Sequence, residues 1–500
     1  MNVAAEIKHQ ISRTAEHFDI LIVGAGISGI DAAYHLQQHC PGKSFALLEN
    51  QASFGGTWIT HKYPGIRSDS DLFTFGYGWK PWSGPPIATA EEILSYLDEV
   101  LDEHRIREHI RYRHEVKSAT WSGKDKRWTL HAARTDTGEE LVFTCGFLWM
   151  CQGYYRHSEG YTPEFAGLDR FQGQVVHPQT WPEDLDYKDR EVLVIGSGAT
   201  AATLIPAMAD DCKHITMLQR SPTYFYAVPN RNAARDMLRK INVPPRWIHD
   251  IVRGNILNDQ EIIARRSFDD SETLKNELIA GAKMYLGPDI DVEKHFTPSY
   301  RPWRQRLAVI PDGDLFLGLR AGKASVVTDE IETFTEDGIL LKSGIELKAD
   351  IIVTATGFNM CVLGDIDFII DGEPLNFADC WMHRGILFSG IPNMAWVFGY
   401  IRSSWTLRAD LVAAFVCRLL NHMAEKGAQV VTPRLREDDM DMPRRPFMDA
   451  ENFNAGYLMR KMHIMPKQGD REPWIFSQDY YKEKDQIPAA DLDDGTLIYQ

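Results

Sequence analysis

Apolar residues along this chain gather into short unbroken runs that end in glycine turns and give way to helical periodicity. Phe18-Asp19-Ile20-Leu21-Ile22-Val23 is the first such run and predicts a buried strand. Gly24-Ala25-Gly26-Ile27-Ser28-Gly29 follows, then a helical pattern through Ile30, Ala33 and Leu36, then a second strand from Phe45 to Leu48 that closes on Glu49. The same design returns downstream. Glu191-Val192-Leu193-Val194-Ile195 runs into Gly196-Ser197-Gly198-Ala199-Thr200-Ala201, a helix follows, and Ile215 to Leu218 leads into Gln219-Arg220-Ser221. Two further strands leave through glycine, Phe147–Met150 into Cys151-Gln152-Gly153 and Ile351–Thr354 into Ala355-Thr356-Gly357. Residues 230–300 are charged and helical, broken at Pro244-Pro245 and Gly287-Pro288. A long helix over about 405–424 carries the apolar stripe Leu411, Val412, Phe415, Val416, Leu419 and Leu420, with Ser403 and Ser404 as candidate N-caps.

Strand, glycine turn, helix and strand in that order form a dinucleotide-binding unit. Gly24, Gly26 and Gly29, and then Gly196, Gly198 and Ala201, permit a tight turn, a close approach of backbone to pyrophosphate and close helix packing. The helix N-terminus adds free N–H groups and a positive dipole end. The strand ends differ between the copies. Glu49 can accept hydrogen bonds from ribose hydroxyls, which suits FAD. Arg220, beside Ser221, can pair with a 2′-phosphate that a carboxylate would repel, which suits NADPH. The expected fold is α/β with two Rossmann-like domains. An FAD-binding part spans 1–153, an NADPH-binding domain spans 154–345 with the helical insertion at about 230–300, and the second part of the discontinuous FAD domain spans 346–500. Ala355, Thr356 and Gly357 are expected beside a cofactor.

Composition narrows the function. A chain of 500 residues with 44% hydrophobic and 25% charged residues suits an ordinary globular protein of several domains. Its net charge of −16 argues against nucleic-acid binding. The seven cysteines form no CxxC pair, which disfavours a flavin disulfide reductase and points to a reducing compartment. The histidines show no HExxH or His–Cys ligand spacing, so no metal is expected. Neither a signal-peptide core nor a membrane-length apolar run is present. The expectation is a cytoplasmic protein, a monomer or small homo-oligomer, without an integral membrane segment.

Two strings carry a resemblance. Phe171-Gln172-Gly173-Gln174-Val175-Val176-His177-Pro178-Gln179-Thr180-Trp181-Pro182 matches FxGxxxHxxxW(P/D), and Gly55-Gly56-Thr57-Trp58 is followed by Tyr63-Pro64-Gly65 and Asp69. By these the chain resembles the type I Baeyer–Villiger monooxygenases, and within them the ethionamide-activating monooxygenase subgroup. Longer shared strings are YPGIRSDSD (63–71), HPQTWPEDLDY (177–187) and PWRQRLAVIPDGDLF (302–316). The resemblance implies that NADPH reduces FAD, that a flavin C4a-peroxide attacks a ketone to give an ester or lactone, and that sulfides are oxidised as well. It makes Arg306 the fixed cation, Asp69 its orienting carboxylate, Arg67 a second positive group, and Gly56, Thr57 and Trp58 neighbours of the cofactor. Arg301 and Arg304 are rivals of Arg306. Phe171, Gly173, His177 and Trp181 are implied to be conformational elements rather than proton-transfer groups. Gln305 departs from the family, where Lys commonly stands. An N- or S-oxygenating flavin monooxygenase and a non-catalytic nucleotide-binding protein are the alternatives.

Overall fold

The computed structural model describes residues 15–500; the stretch read as lacking a leader begins among residues that lie outside it. Two open sheets organise the chain. In the nine-stranded first sheet, Glu16–Val23 lies between Phe45–Glu49 and Glu140–Met150, parallel to both, and Ile110–Tyr112 closes that edge. The other half is an antiparallel meander of His114–Ser122, Arg127–Arg134 and Glu140–Met150. Every position of Phe45–Glu49 and the inner half of Glu16–Val23 is buried, as the uninterrupted apolar runs require. The second sheet has five strands, all parallel. Their order is Ala324–Thr328, His214–Gln219, Glu191–Ile195, Ile351–Thr354 and Gln174–Val176.

The chain returns to the first unit later than the expected residue 346. Ile351–Thr354 is a central strand of the second sheet, and the chain rejoins the first sheet at Asp367–Ile370, beside His114–Ser122. Met394–Trp396 then pairs with Glu140–Met150. An apolar strand with a glycine exit reads the same in either sheet, because its pattern reports burial and not its neighbour.

The helical insertion holds Pro245–Asp269 and Ser271–Leu286. It does not belong to the second unit alone. Ile248 and Val252 join the core beneath the first sheet, whereas Ile279, Ala282 and Leu286 join the core of the second. Arg253 fastens it further, donating from Nη1 to the carbonyls of Phe73 (2.7 Å) and Gly76 (3.0 Å). The long helix is Trp405–Glu425, and it packs on Ile27–His39 under the first sheet. Ser404 holds its N-cap position, but no side chain caps the helix. The Ser404 hydroxyl instead meets Thr74 Oγ1 at 2.7 Å. Among the described residues no helix is long and apolar enough to cross a membrane.

Candidate active site

The first glycine loop is built by steric necessity. Gly24 has φ +103°, and a Cβ there would lie 2.7 Å from the carbonyl oxygen of Cys151. A Cβ on Gly29 would lie 1.9 Å from the Gly24 oxygen. Gly26 begins the helix Ile27–His39 with no side-chain cap, so its first N–H groups stay available to an anion. Gly56, at φ 55° and ψ −118°, lies against Gly26, and Gly55 N–H donates to the Ala25 carbonyl at 3.0 Å. The GGTW string thus closes on the mouth of the loop, with Thr57 opening the short helix Thr57–Thr60. Trp58 stands edge-on to Phe75 with ring centroids 5.7 Å apart. Glu49 is buried; its Oε2 accepts from Ala25 N–H and its Oε1 from Gln51 N–H, both at 2.8 Å. Burial pushes its carboxyl pKa up against the pull of these backbone donors. Each oxygen keeps a lone pair for a hydroxyl.

The second loop repeats the construction. A Cβ on Gly196, at φ +129°, would lie 2.3 Å from the Ala355 carbonyl oxygen, so Ala355 stands to this loop as Cys151 stands to the first. Ala355 therefore lines the second loop and not a returning part of the first unit, while Thr356 and Gly357 bond the crossing segment through Tyr161 and His177. Gly198 has open space around it: a Cβ there would meet no atom within 4 Å. It begins Ala199–Met208 without a side-chain bond. Ala201 is fully buried on that helix. Ser197 Oγ meets Thr223 Oγ1 at 2.8 Å, tying the loop to the turn after Arg220 and Ser221. Both of those residues are exposed, and the charge of Arg220 is felt by Glu330, whose carboxyl it helps hold below its ordinary range.

The FxGxxxHxxxW string is packed into the second unit. Phe171 is buried under the second sheet, and Gly173 is pressed between the Asp350 carbonyl oxygen and the Phe171 ring, at 2.3 and 2.5 Å from an added Cβ. His177 Nε2 donates to the Gly357 carbonyl at 3.1 Å, and its Nδ1 accepts from Gln179 N–H at 3.1 Å. Both ring nitrogens are committed, and burial lowers the ring's pKa. His177 is thereby held neutral and joins the inter-domain crossing to the Gly357 turn. Trp181 is half-buried against the second core.

Arg306 and Asp69 meet where the two units face each other. The Nε of Arg306 donates to Asp69 Oδ2 at 2.5 Å and Nη2 to Oδ1 at 2.6 Å, a bidentate pair. Loss of hydration opposes the charge on Arg306, but attraction to Asp69 outweighs it, and the guanidinium pKa rises above its ordinary value. Even so, 37% of the Arg306 side chain is open to solvent, which leaves a face free for a reacting group. The rivals are otherwise engaged: Arg304 binds the Glu451 carboxylate (3.0 Å), and Arg301 donates to the carbonyls of Glu451 and Asn452. Arg67 pairs with Asp314 across the units (2.5 Å) and reaches the Ala202 carbonyl, so its charge is already matched. Sequence reading missed the aromatic wall beside this pair. The hydroxyls of Tyr154 and Tyr155 lie 2.7 Å apart, and Tyr154 stacks on Trp405 at 5.1 Å. Tyr155 packs on Phe358 at 4.4 Å, and Tyr457 completes the group. Burial raises the pKa of Tyr154 and Tyr457 well above the phenol value, and the charge on Arg306 acts against that rise. Adjacent Tyr-Tyr residues after a strand exit were the only signal in the sequence.

Residues 22–99 match the NAD(P)-binding Rossmann-like domain family, and residues 82–238 match the Flavin-binding monooxygenase-like family. FAD-containing monooxygenase EthA of Mycobacterium tuberculosis is 46% identical over 486 residues, covering 97% of this chain and 98% of the relative. EthA of Mycolicibacterium smegmatis is 46% identical over 489 residues, covering 97% of each. The chain belongs to the FAD-containing monooxygenases. The fold of the monooxygenase is similar to that of cyclohexanone monooxygenase in its open form. The TM-score is 0.70 at 21% identity, over 84% of this chain and 90% of that one. It is likewise similar to the oxidised steroid monooxygenase bound to NADP. There the TM-score is 0.67 at 23% identity, over 83% and 87%. The monooxygenase's first loop fits its flavin dinucleotide: the uncapped helix end meets the pyrophosphate requirement, and Glu49 offers the ribose acceptors.

Proposed function

We propose that the monooxygenase uses NADPH and O2 to insert one oxygen atom next to a ketone carbonyl, giving an ester or lactone, and that it also oxidises sulfides. The bidentate Arg306–Asp69 pair at the junction of the two units carries this reading. Ketone, O2, NADPH and a proton yield ester, NADP and water. FAD supplies the electron transfer and the activation of oxygen. The residues supply charge and placement. Arg306 remains protonated under all working conditions, so it favours an anionic oxidant over its protonated form and stabilises the negative tetrahedral adduct on the ketone. Asp69 fixes the plane of the guanidinium. Arg220 and Ser221, exposed just past the end of His214–Gln219, are suited to the 2′-phosphate of NADPH. His177 moves no proton, since both its nitrogens are bonded to backbone. The seven cysteines are buried and unpaired, which supports action in a reducing compartment such as the cytoplasm.

The test is incorporation of labelled oxygen. Purified yellow protein is given NADPH, 18O2 and a ketone, and the product is read by mass spectrometry. An ester carrying one labelled atom is the expected result. Unchanged ketone alongside a readily oxidised sulfide would overturn the ketone assignment and leave an N- or S-oxygenating enzyme.

A further inference from the structure

Behind the first glycine loop, three ionisable groups converge on one another. Asp31 and His35 lie one turn apart on Ile27–His39 and so share a face. Asp410 comes from Trp405–Glu425, which packs across that face. Asp31 is 0% exposed, and the His35 and Asp410 side chains are 12% and 21% exposed. His35 Nε2 stands 3.6 Å from Asp31 Oδ1 and 3.7 Å from Asp410 Oδ1, almost equidistant and too far from either for a hydrogen bond.

The remaining contacts hold the carboxylates in place without satisfying them. Trp79 Nε1 donates to Asp31 Oδ1 at 3.0 Å, and Gly78 N–H donates to Asp410 Oδ2 at 3.2 Å. Arg253 Nη2 lies 3.9 Å from that same Asp410 oxygen, and the other amino group of this guanidinium is held by backbone carbonyls. Both nitrogens of His35 are buried with no hydrogen-bond partner, and Asp31 Oδ2 and Asp410 Oδ1 are buried with none beyond the contact between the two carboxyls themselves. Orphaned buried groups of this kind are rare.

We propose that Asp31, His35 and Asp410 bind a divalent transition-metal cation of the Zn2+ class. One donor atom from each lies within 4.8 Å of the others. A tetrahedral ion with bonds of about 2.0–2.1 Å holds its ligands roughly 3.3 Å apart, so His35 closes on each carboxylate by a few tenths of an ångström from 3.6 and 3.7 Å, and the two carboxylate oxygens, within 4.8 Å of each other, draw together around the ion. Three protein ligands leave a fourth position for water, reached from the partly open side of His35 and Asp410. Trp79 and Gly78 orient the carboxylates by hydrogen bonds to them, as outer partners of metal ligands commonly do. The ion would clasp the helix that leads away from the first glycine loop to the long helix beneath the sheet. The absence of HExxH spacing does not speak against it, because the third donor is far along the chain.

FAD-loaded full-length protein is stripped with a chelator, incubated with Zn2+, desalted and assayed by elemental analysis and thermal melting. The expected result is one Zn2+ retained per chain and a raised melting temperature. Asp31→Asn and the milder His35→Gln lose both effects while the protein stays yellow. Wild type that retains no Zn2+, or variants that retain as much as wild type, would overturn the proposal. So would an Asp31→Asn protein that is more stable than a metal-indifferent wild type, since the two carboxyls would then be sharing a proton.

Discussion

Arg306 and Asp69 join the two dinucleotide units through paired hydrogen bonds of 2.5 and 2.6 Å, and this one contact brings a permanent cation to their junction. Removing the cation separates electron transfer from oxygen transfer. Arg306→Ala is expected to keep NADPH-driven flavin bleaching while ester formation falls by about 10²-fold or more, ~2.7 kcal/mol in barrier height. Asp69→Asn, which keeps one hydrogen bond, is expected to fall between the two. Rapid-mixing absorbance paired with product analysis reads both steps, and an undiminished ester yield in Arg306→Ala removes the assigned role.

Arg220 is exposed just past the end of its strand. Arg220→Ala is expected to raise the KM for NADPH at least tenfold and leave that for NADH nearly unchanged, because only the phosphorylated coenzyme loses a charge-assisted pair. Equal effects on both coenzymes would exclude the phosphate contact. Steady-state kinetics with each coenzyme is the measurement.

Gly196 and Gly198 are glycine for different reasons, and alanine tells them apart. Gly196→Ala forces a Cβ to within 2.3 Å of the Ala355 oxygen at φ +129°, so misfolding or a large loss of melting temperature is expected. Gly198→Ala meets no protein atom within 4 Å, at an extended backbone with φ −77°. It is expected to melt like wild type yet bind NADPH more weakly, because its methyl group intrudes on the approach of the pyrophosphate. Melting curves and fluorescence titration with NADPH distinguish the cases.

His383 predicts the acid response of the fold. Burial pushes its pKa down to about 3, and its Nε2 meets Thr496 Oγ1 at 2.9 Å. A histidine whose folded pKa is depressed binds more protons when unfolded, so stability is full above the ordinary value near 6.5 and is lost as pH falls below it. At pH 5 this one residue costs about 2 kcal/mol relative to pH 7. His383→Gln is expected to show a smaller drop in melting temperature between pH 7 and pH 5 than wild type does. His61 and His249, both pushed down to about 4 by burial, add to the same trend.

Tyr154 tests the aromatic wall. Tyr154→Phe removes the hydroxyl that meets Tyr155 while keeping the stack on Trp405. Oxygenation of ketone is expected to slow several-fold with flavin reduction unchanged, as for a group that places substrate near Arg306. An unchanged ratio of product to NADPH consumed would confine the residue to packing.

Much of the site could be read from residue order. Gly29 is legible because its contact, the Gly24 oxygen, is local; Gly24 and Gly196 are legible from their place in the strand–turn–helix order, although the Cys151 and Ala355 carbonyls that exclude a side chain there come from distant strands. Glu49 and Arg220 are legible for the same reason, since each ends the strand that follows its loop. The pairing of Arg306 with Asp69 was legible by resemblance alone, as residue order could not separate it from Arg304 and Arg301; in the fold those two bind residues 451 and 452 and Arg306 faces Asp69.

By itself the sequence determined two glycine-loop units, their uncapped helix ends and the opposite charges at their strand ends, because each depends on a few consecutive residues and their periodicity. Only the tertiary structure decided that Ile351–Thr354 belongs to the second sheet, that the helical insertion spans both cores, that Tyr457 comes to stand by Tyr154, and that Asp410 closes on Asp31 and His35. Those outcomes turn on strand register and on which buried faces meet across long stretches of chain. An apolar pattern fixes that a face is buried, and the packing of the whole fold fixes what it is buried against.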